Sequence, residues 1–385
     1  MANKTYEESI KLHKKYGGKL EVKSKVGLKN KKDLSLAYTP GVAGVCEAIA
    51  KDPKLAKILT IKKNTVAIVS DGSAILGLGN LGPLAAIPVM EGKAAIFKEF
   101  GGVDAFPICI HTQDTEEIIE LVKQIAPVFG GINLEDISAP RCFEIEERLR
   151  KELDIPVMHD DQWGAATVGL AALINALKLA KLKKEKIKVV ISGVGAAGVA
   201  TARLLFAYGV TNILFCDSKG IIHKGRTDLN KEKKELLNAS TNKGESGGLA
   251  EALIDANVFI GLSKPKTLAE EMIKSMAFKP IIFTLANPTP EIMPEEAKRA
   301  GAFIVATGRS DYPNQINNSL VFPNAFKAML DCGIPQFENK IFVKIAIALA
   351  SVVKKPSTEN IIPSMFDKKA RIAVYKAVTS LKTKK

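Results

Sequence analysis

The run from Ile187 to Asp217 constrains the fold more than any other stretch. Ile187–Ser192 reads as a short apolar strand. Gly193-Val194-Gly195-Ala196-Ala197-Gly198 follows at once and opens a helix through Tyr208. A second strand, Asn212–Cys216, ends in Asp217. Two strands joined by a helix pair in parallel with a right-handed crossover. The glycines permit a tight turn, close approach of a pyrophosphate to the backbone, and packing of helix on strand. The phosphates then meet the helix N-terminus, where free amides and the dipole favour anions. A lone Gly-x-Gly-x-x-Gly is weak evidence. With strand, helix, second strand and terminal acid around it, the pattern predicts a dinucleotide site at Gly193, Gly195, Ala196, Ala197 and Gly198. Asp217 is expected to take hydrogen bonds from the adenosine ribose and repel a 2′-phosphate, so NAD is the expected cofactor. Lys219, close by, keeps NADP open.

A second strand–helix–strand unit lies upstream. Gly131–Leu134 is a short apolar run, and Ala139–Leu153 reads as a helix with Phe143, Ile145, Leu149 and Leu153 on one stripe. Ile155–His159 is apolar again. Each strand ends in an acidic pair, Glu135-Asp136 and Asp160-Asp161. In a parallel unit both carboxyl ends share one edge, and adjacent strands lie ~4.8 Å apart. Four carboxylates at that spacing repel one another unless a positive charge sits among them. A hard cation such as Mg²⁺ or Mn²⁺ is one answer; two solvated loop ends are the other reading.

The 385-residue length suggests two or three domains with ample core. The expected fold is α/β, with a mainly parallel sheet in an N-terminal substrate and metal domain, residues 1–161. A Rossmann-type domain with C-terminal helices follows over 162–385. No apolar run reads as long enough to span a bilayer, and the N-terminus has no signal-like stretch. The five cysteines, Cys46, Cys109, Cys142, Cys216 and Cys332, are scattered and never spaced as CxxC. That argues for a reducing, cytoplasmic setting and against disulfides or a zinc site. The net charge of +14 is carried mostly by lysine. It could mark a nucleic-acid binder, but no stacking aromatics interleave the basic runs and no such motif is present. Solvated lysines explain it, and the field could draw in a dianionic substrate.

Other segments carry single candidates. Tyr6–Tyr16 reads as a helix stopped by Gly17 and Gly18. Tyr38 stands on a Tyr-Thr-Pro-Gly corner, either packed under a loop or held for chemistry. After the strand Thr65–Val69, Gly77, Gly79 and Gly82 match Gly-x-Gly-x-x-Gly. The intervening DGSAIL segment argues against a second dinucleotide loop. Lys93 lies in apolar company within Pro83–Phe100, so it either snorkels to water or has its charge managed by a partner. Asp104–Ile110 is a strand. Thr112–Phe129 is a scaffold helix opened by Asp114 and Glu117 in a capping-box-like pair. Gln162–Leu182 is a long small-residue helix linking the two domains. Asn257–Ile260, Ile281–Leu285 and Phe303–Ala306 extend the second sheet. Polar loops at Ala286-Asn287-Pro288 and Gln315–Asn318 follow two of these strands, where open α/β sheets hold ligands. From Phe326 the chain reads as helical, with Lys382–Lys385 a mobile tail.

Taken together the motifs resemble the malic enzyme family in its short prokaryotic form. The matching text is LAYTPGV, SDGSAILGLGNLGPLAAIPVMEGKA, INLEDI, HDDQWGAA, GVGAAG, LANPTPEI and GRSDYPNQINNSLVFP. Their order across most of the chain is more specific than any one of them. The resemblance implies oxidative decarboxylation of L-malate to pyruvate and CO₂ with NAD(P)⁺ and Mg²⁺ or Mn²⁺. It implies Tyr38 as general acid, Lys93 as general base and Asp160 as the carboxylate beside that base. Glu135, Asp136 and Asp161 are implied as metal ligands. Asn287 and Asn318 are implied to hold the substrate carboxylate, with Asn287 also lining the cofactor site. A homodimer or higher homo-oligomer is expected, with no nucleic-acid or membrane partner. Malolactic enzyme, which retains NAD⁺ and releases lactate, shares these motifs and stays open. A non-catalytic nucleotide-sensing or nucleic-acid-binding protein rests on charge alone. Longer members carry an Arg where this chain has Ala74, so substrate anchoring must differ here. The acetyltransferase-like extension of some bacterial members has no counterpart in the text.

Overall fold

The computed structural model describes residues 2–241 and 244–381; the expected mobile tail, 382–385, lies outside them. Two sheets organise the chain. The first has four parallel strands, β1 (Thr65–Ser70), β2 (Asp104–Cys109), β3 (Gly131–Leu134) and β4 (Val157–His159), in the order β2-β1-β3-β4. β1 and β3 read as continuous apolar runs because helices cover both faces of a parallel sheet; both strands are buried along their whole length. The covering helices include Pro83–Gly101, Thr115–Ile125 and Arg141–Glu152. Asp114 caps the second of these by accepting the Glu116 and Glu117 amides. The reciprocal half of the expected capping box is absent, since the Glu117 side chain bonds Thr112 instead.

β3 and β4 pair with Leu134 opposite His159. Glu135 and Asp160 therefore leave neighbouring strands at the same edge, as the sequence pattern requires. The second acidic pair does not end a strand, however. Asp160 and Asp161 form the first turn of a helix, Asp160–Ala180, two residues earlier than expected. Acidic residues in a first turn are favoured by the positive end of the helix dipole. This helix also corrects the expectation that no apolar run could span a bilayer. It has the length and composition to cross one, yet 78% of its apolar window is buried inside the protein.

The second sheet has the order β10-β9-β8-β5-β6-β7. Its strands are β5 (Val189–Ser192), β6 (Ile213–Asp217), β7 (Gly220–Ile221), β8 (Val258–Gly261), β9 (Ile281–Thr284) and β10 (Ile304–Thr307). All pair in parallel except the short β7. The chain moves outward on one side of β5 to β6 and on the other to β8, so a crevice opens at their carboxyl ends.

After β10 the chain returns to the first sheet. The helix Phe322–Cys332 packs on Pro83–Gly101 through Phe97, whose ring lies 4.8 Å from Phe322 and 5.5 Å from Phe326. Phe326, Phe337 and Phe342 continue the contact to Trp163 on the Asp160–Ala180 helix, where Trp163 and Phe342 stack at 4.9 Å. Each such buried side chain contributes roughly 1.5–3 kcal/mol. This aromatic row locks the helix bearing Lys93 to the helix bearing Asp160.

The N-terminal region behaves differently. The helices Lys31–Ala37 and Gly41–Lys51 bury no residue. Tyr6, Ile10, Tyr16, Leu28, Leu36 and Tyr38 are all exposed.

Candidate active site

Lys93 lies on the inner face of its helix and is buried. It does not snorkel. Its ammonium is 2.6 Å from Asp160 Oδ2 and 2.7 Å from Glu135 Oε1, and sits 4.4 Å from the Phe322 ring centre. Burial pulls its pKa down, but Asp160, Glu135 and Asp161 outweigh it and hold the group well above its ordinary value. Asp160 has no exposed surface, and Asn318 also donates to its Oδ2. Burial pushes Asp160 and Glu135 upward despite Lys93. Asp136 rises to about 7 because it is buried and faces Asp161. One ammonium thus answers four clustered carboxylates, and Lys93, Glu135, Asp136 and Asp160 each hold a proton more tightly than usual.

Glu135, Asp136 and Asp161 each offer an oxygen within 4.8 Å of the others. Asn133 Nδ2 orients Glu135 at 2.9 Å, and the Asp136 amide donates to Asp161 at 2.8 Å. Asp136 takes a left-handed backbone, φ 54°, which aims its carboxyl inward. Its Oδ2 is buried with no hydrogen-bond partner among the described residues. A buried carboxylate oxygen left unpaired is costly. An oxygen-only donor set with that vacancy fits a hard divalent cation.

The crevice of the second sheet fits a dinucleotide. Gly193 has φ +101°, and a Cβ there would lie 2.4 Å from the Leu262 carbonyl; at Gly198 it would lie 2.0 Å from the Gly193 carbonyl. Nothing lies within 4 Å of a Cβ position at Gly195, which opens the helix Ala196–Tyr208 with no side-chain cap. The backbone amides there are open to an anion.

Two family models match the chain: "Malic enzyme, N-terminal domain" over residues 17–150, and "Malic enzyme, NAD binding domain" over 163–381. The chain belongs to the malic enzyme family. It is an enzyme of the NAD(P)-dependent malic enzyme kind. A bifunctional malic/malolactic enzyme of Bacillus subtilis is 52% identical over 375 residues, covering 97% of this chain and 92% of that one. An NAD-dependent malic enzyme of Geobacillus stearothermophilus is 56% identical over 364 residues, covering 94% of this chain and 76% of its own length. The crystal structure of the NAD-dependent malic enzyme of Thermotoga maritima superposes with a TM-score of 0.94 at 48% identity, covering 96% of this chain and 98% of that one.

In this malic enzyme Lys93, Glu135, Asp136, Asp160, Asp161 and Asn318 come together. Asn287 is exposed on the loop after β9, and the loop before Lys93's helix reaches it: a Cβ at Gly77 would lie 2.5 Å from the Asn287 carbonyl. Gly77 thus belongs to a contact between the two halves. Tyr38 is not gathered in. It caps the helix Lys31–Ala37, the residue is 67% exposed, and its hydroxyl makes no hydrogen bond among the described residues.

Several partners escaped the sequence reading. Arg141 is pinned to Asp71, Ser73 and Ser138 at 3.0–3.1 Å, bracing the loop that carries Ala74. Asp217 is not free at its strand end. Arg226 grips it with two bonds of 2.8 and 3.0 Å, and Lys233 with one of 2.7 Å. Burial pushes the Asp217 carboxyl up, but these cations outweigh it and hold it at about 2. Lys219 pairs with Asp228 instead. In so lysine-rich a text nothing distinguishes Lys233 from its neighbours; only the fold selects it.

Proposed function

We propose that this enzyme oxidatively decarboxylates L-malate to pyruvate and CO₂, with NAD⁺ preferred, NADP⁺ accepted, and Mg²⁺ or Mn²⁺ held by Glu135, Asp136 and Asp161. The observation that carries the reading is the buried lysine wedged between an oxygen-only acidic trio and Asp160. When bound, the cation held by Glu135, Asp136 and Asp161 would supply charge stabilisation for developing negative charge on the substrate oxygens, and the dinucleotide held at the Gly193–Gly198 loop would supply the hydride acceptor. Lys93 takes the proton of the malate 2-hydroxyl, which requires a neutral amine. A divalent charge among its carboxylate partners lowers its hold on that proton. Asp160, fixed by Asn318, keeps the lysine aimed. Asn318 and Asn287 offer amide donors to the substrate carboxylate. Tyr38 delivers a proton to the enolate carbon after CO₂ departs.

Tyr38 can do this only from another position than its own exposed arm. Exposed apolar side chains along that arm, Tyr6, Ile10, Leu28 and Leu36 among them, favour a covering surface. We therefore propose a homodimer in which the arm of one copy serves the site of the other. The proposed division is a substrate and metal domain over 1–161 and a cofactor domain over 162–385. The five unpaired cysteines support a reducing, cytoplasmic setting.

The deciding assay follows malate with NAD⁺ or NADP⁺, before and after chelation and Mn²⁺ re-addition. Pyruvate should form in step with NAD(P)H and only with the cation. Lactate without net NADH would instead establish the malolactic reading, which the bifunctional Bacillus subtilis relative keeps in view. Turnover unchanged by chelation would remove the metal.

A further inference from the structure

Glu146 lies in the middle of the helix Arg141–Glu152, on the face it shares with the apolar Cys142, Ile145 and Leu149, and is 4% exposed. A carboxylate is costly in such a place unless its oxygens are bonded. Here they are. Oε1 accepts the backbone amide of His159 at 3.0 Å and the indole Nε1 of Trp163 at 2.7 Å; Oε2 accepts Gln162 Nε2 at 2.9 Å. All three donors come from the five residues that contain Asp160 and Asp161. β4 is an edge strand, so its outward amide has no neighbouring strand to serve it. Glu146 supplies that acceptor at the residue paired with Leu134. It therefore clamps the point where the two acidic pairs are set side by side.

We propose that Glu146 is a positioning residue that fixes Asp160 and Asp161, and through Asp161 sets the affinity of the trio for its divalent cation. The inference rests on the metal reading above. The network also names its own rescue variant. Gln162 Oε1 is buried without a partner among the described residues, while Gln162 Nε2 faces Glu146 Oε2. A glutamine at 146 therefore keeps the reach, and with the Gln162 amide turned over its new N–H donates to Gln162 Oε1. Glu146→Asp keeps the charge but shortens the reach by one methylene. Positioning thus ranks Gln above Asp, whereas a role for charge alone ranks Asp above Gln.

The test uses the full chain, stripped with EDTA, with free Mn²⁺ followed by electron paramagnetic resonance in the absence of substrate and cofactor. Glu146→Asp and Glu146→Ala should weaken Mn²⁺ binding about 10- to 100-fold, the range for partners that orient metal ligands. Glu146→Gln should stay close to wild type. If Glu146→Ala does not fold, Glu146→Asp against Glu146→Gln decides the question alone. Equal Mn²⁺ affinity in wild type and Glu146→Asp, or Asp tighter than Gln, overturns the proposal. A wild type that binds no Mn²⁺ overturns the metal site itself, a distinct outcome.

Discussion

The Lys93 ammonium and the Asp160 carboxylate lie 2.6 Å apart with almost no access to water. Such a pair is not retained for stability, because desolvation offsets most of its attraction. It suits the proton-transfer role proposed for Lys93, because a buried ammonium is held in place by the carboxylate that faces it.

Lys93→Ala should lower malate oxidation by roughly a hundred- to ten-thousand-fold. It should also lower the stability of the metal-free protein by about 3–5 kcal/mol, because Asp160 and Glu135 lose their buried partner. Mn²⁺ should then raise the variant's melting temperature more than it raises that of wild type. Calorimetric melts with and without Mn²⁺ check this, and equal shifts would count against Lys93 as the resident counter-charge.

Asp136→Asn should weaken Mn²⁺ binding and activity together, yet raise the melting temperature of the EDTA-treated protein by removing one repelling charge. The pH dependence has a definite sign. Burial and Asp161 raise Asp136 from 3.8 to about 7 in the folded chain. Between those values the unfolded chain has released a proton that the folded chain still holds. Metal-free stability should therefore fall as pH rises through this window. Asp136→Asn should flatten that fall, read from denaturant midpoints across pH in EDTA.

Tyr38→Phe should reduce turnover by roughly a hundred- to ten-thousand-fold with little change in melting temperature, because the ring is kept and the lost hydroxyl makes no hydrogen bond among the described residues. If the arm serves a partner's site, mixing inactive Tyr38→Phe and Lys93→Ala subunits should restore activity by placing one intact site in each mixed dimer. No recovery from subunits shown to exchange would mean that Tyr38 acts within its own chain.

Asp217→Ser should shift preference toward NADP⁺, since it removes the carboxylate and leaves Lys233 and the Nη1 of Arg226, which Asp228 still holds in place, for a 2′-phosphate. Adding Arg226→Ala should take most of that gain away. Dissociation constants for NAD⁺ and NADP⁺ by fluorescence titration check both steps. An Asp217→Ser enzyme with unaltered preference would put the adenosine ribose elsewhere.

The periodic text determined by itself the two parallel units, the glycine loop and the acidic pairs. Apolar runs, punctuating glycines and terminal acids act over a few residues, so local order reveals them. Lys93 was legible only as an alternative between snorkelling and pairing. Its answer came from Glu135 and Asp160, which lie on other elements. The long helix likewise starts at Asp160 rather than Gln162, directly after His159, the last β4 residue paired with β3. Glu146, Arg141, Arg226 and Lys233 carry no local signature, because a charged side chain on a helix or loop reads the same whether solvated or clamped. Their roles arise only when the crossovers bring distant segments together, where burial removes water and makes each remaining partner decisive. The arm bearing Tyr38 shows the converse. Its motif was plain in the text, yet the folded chain leaves it exposed, because its apolar side chains find too little surface within one copy to bury themselves.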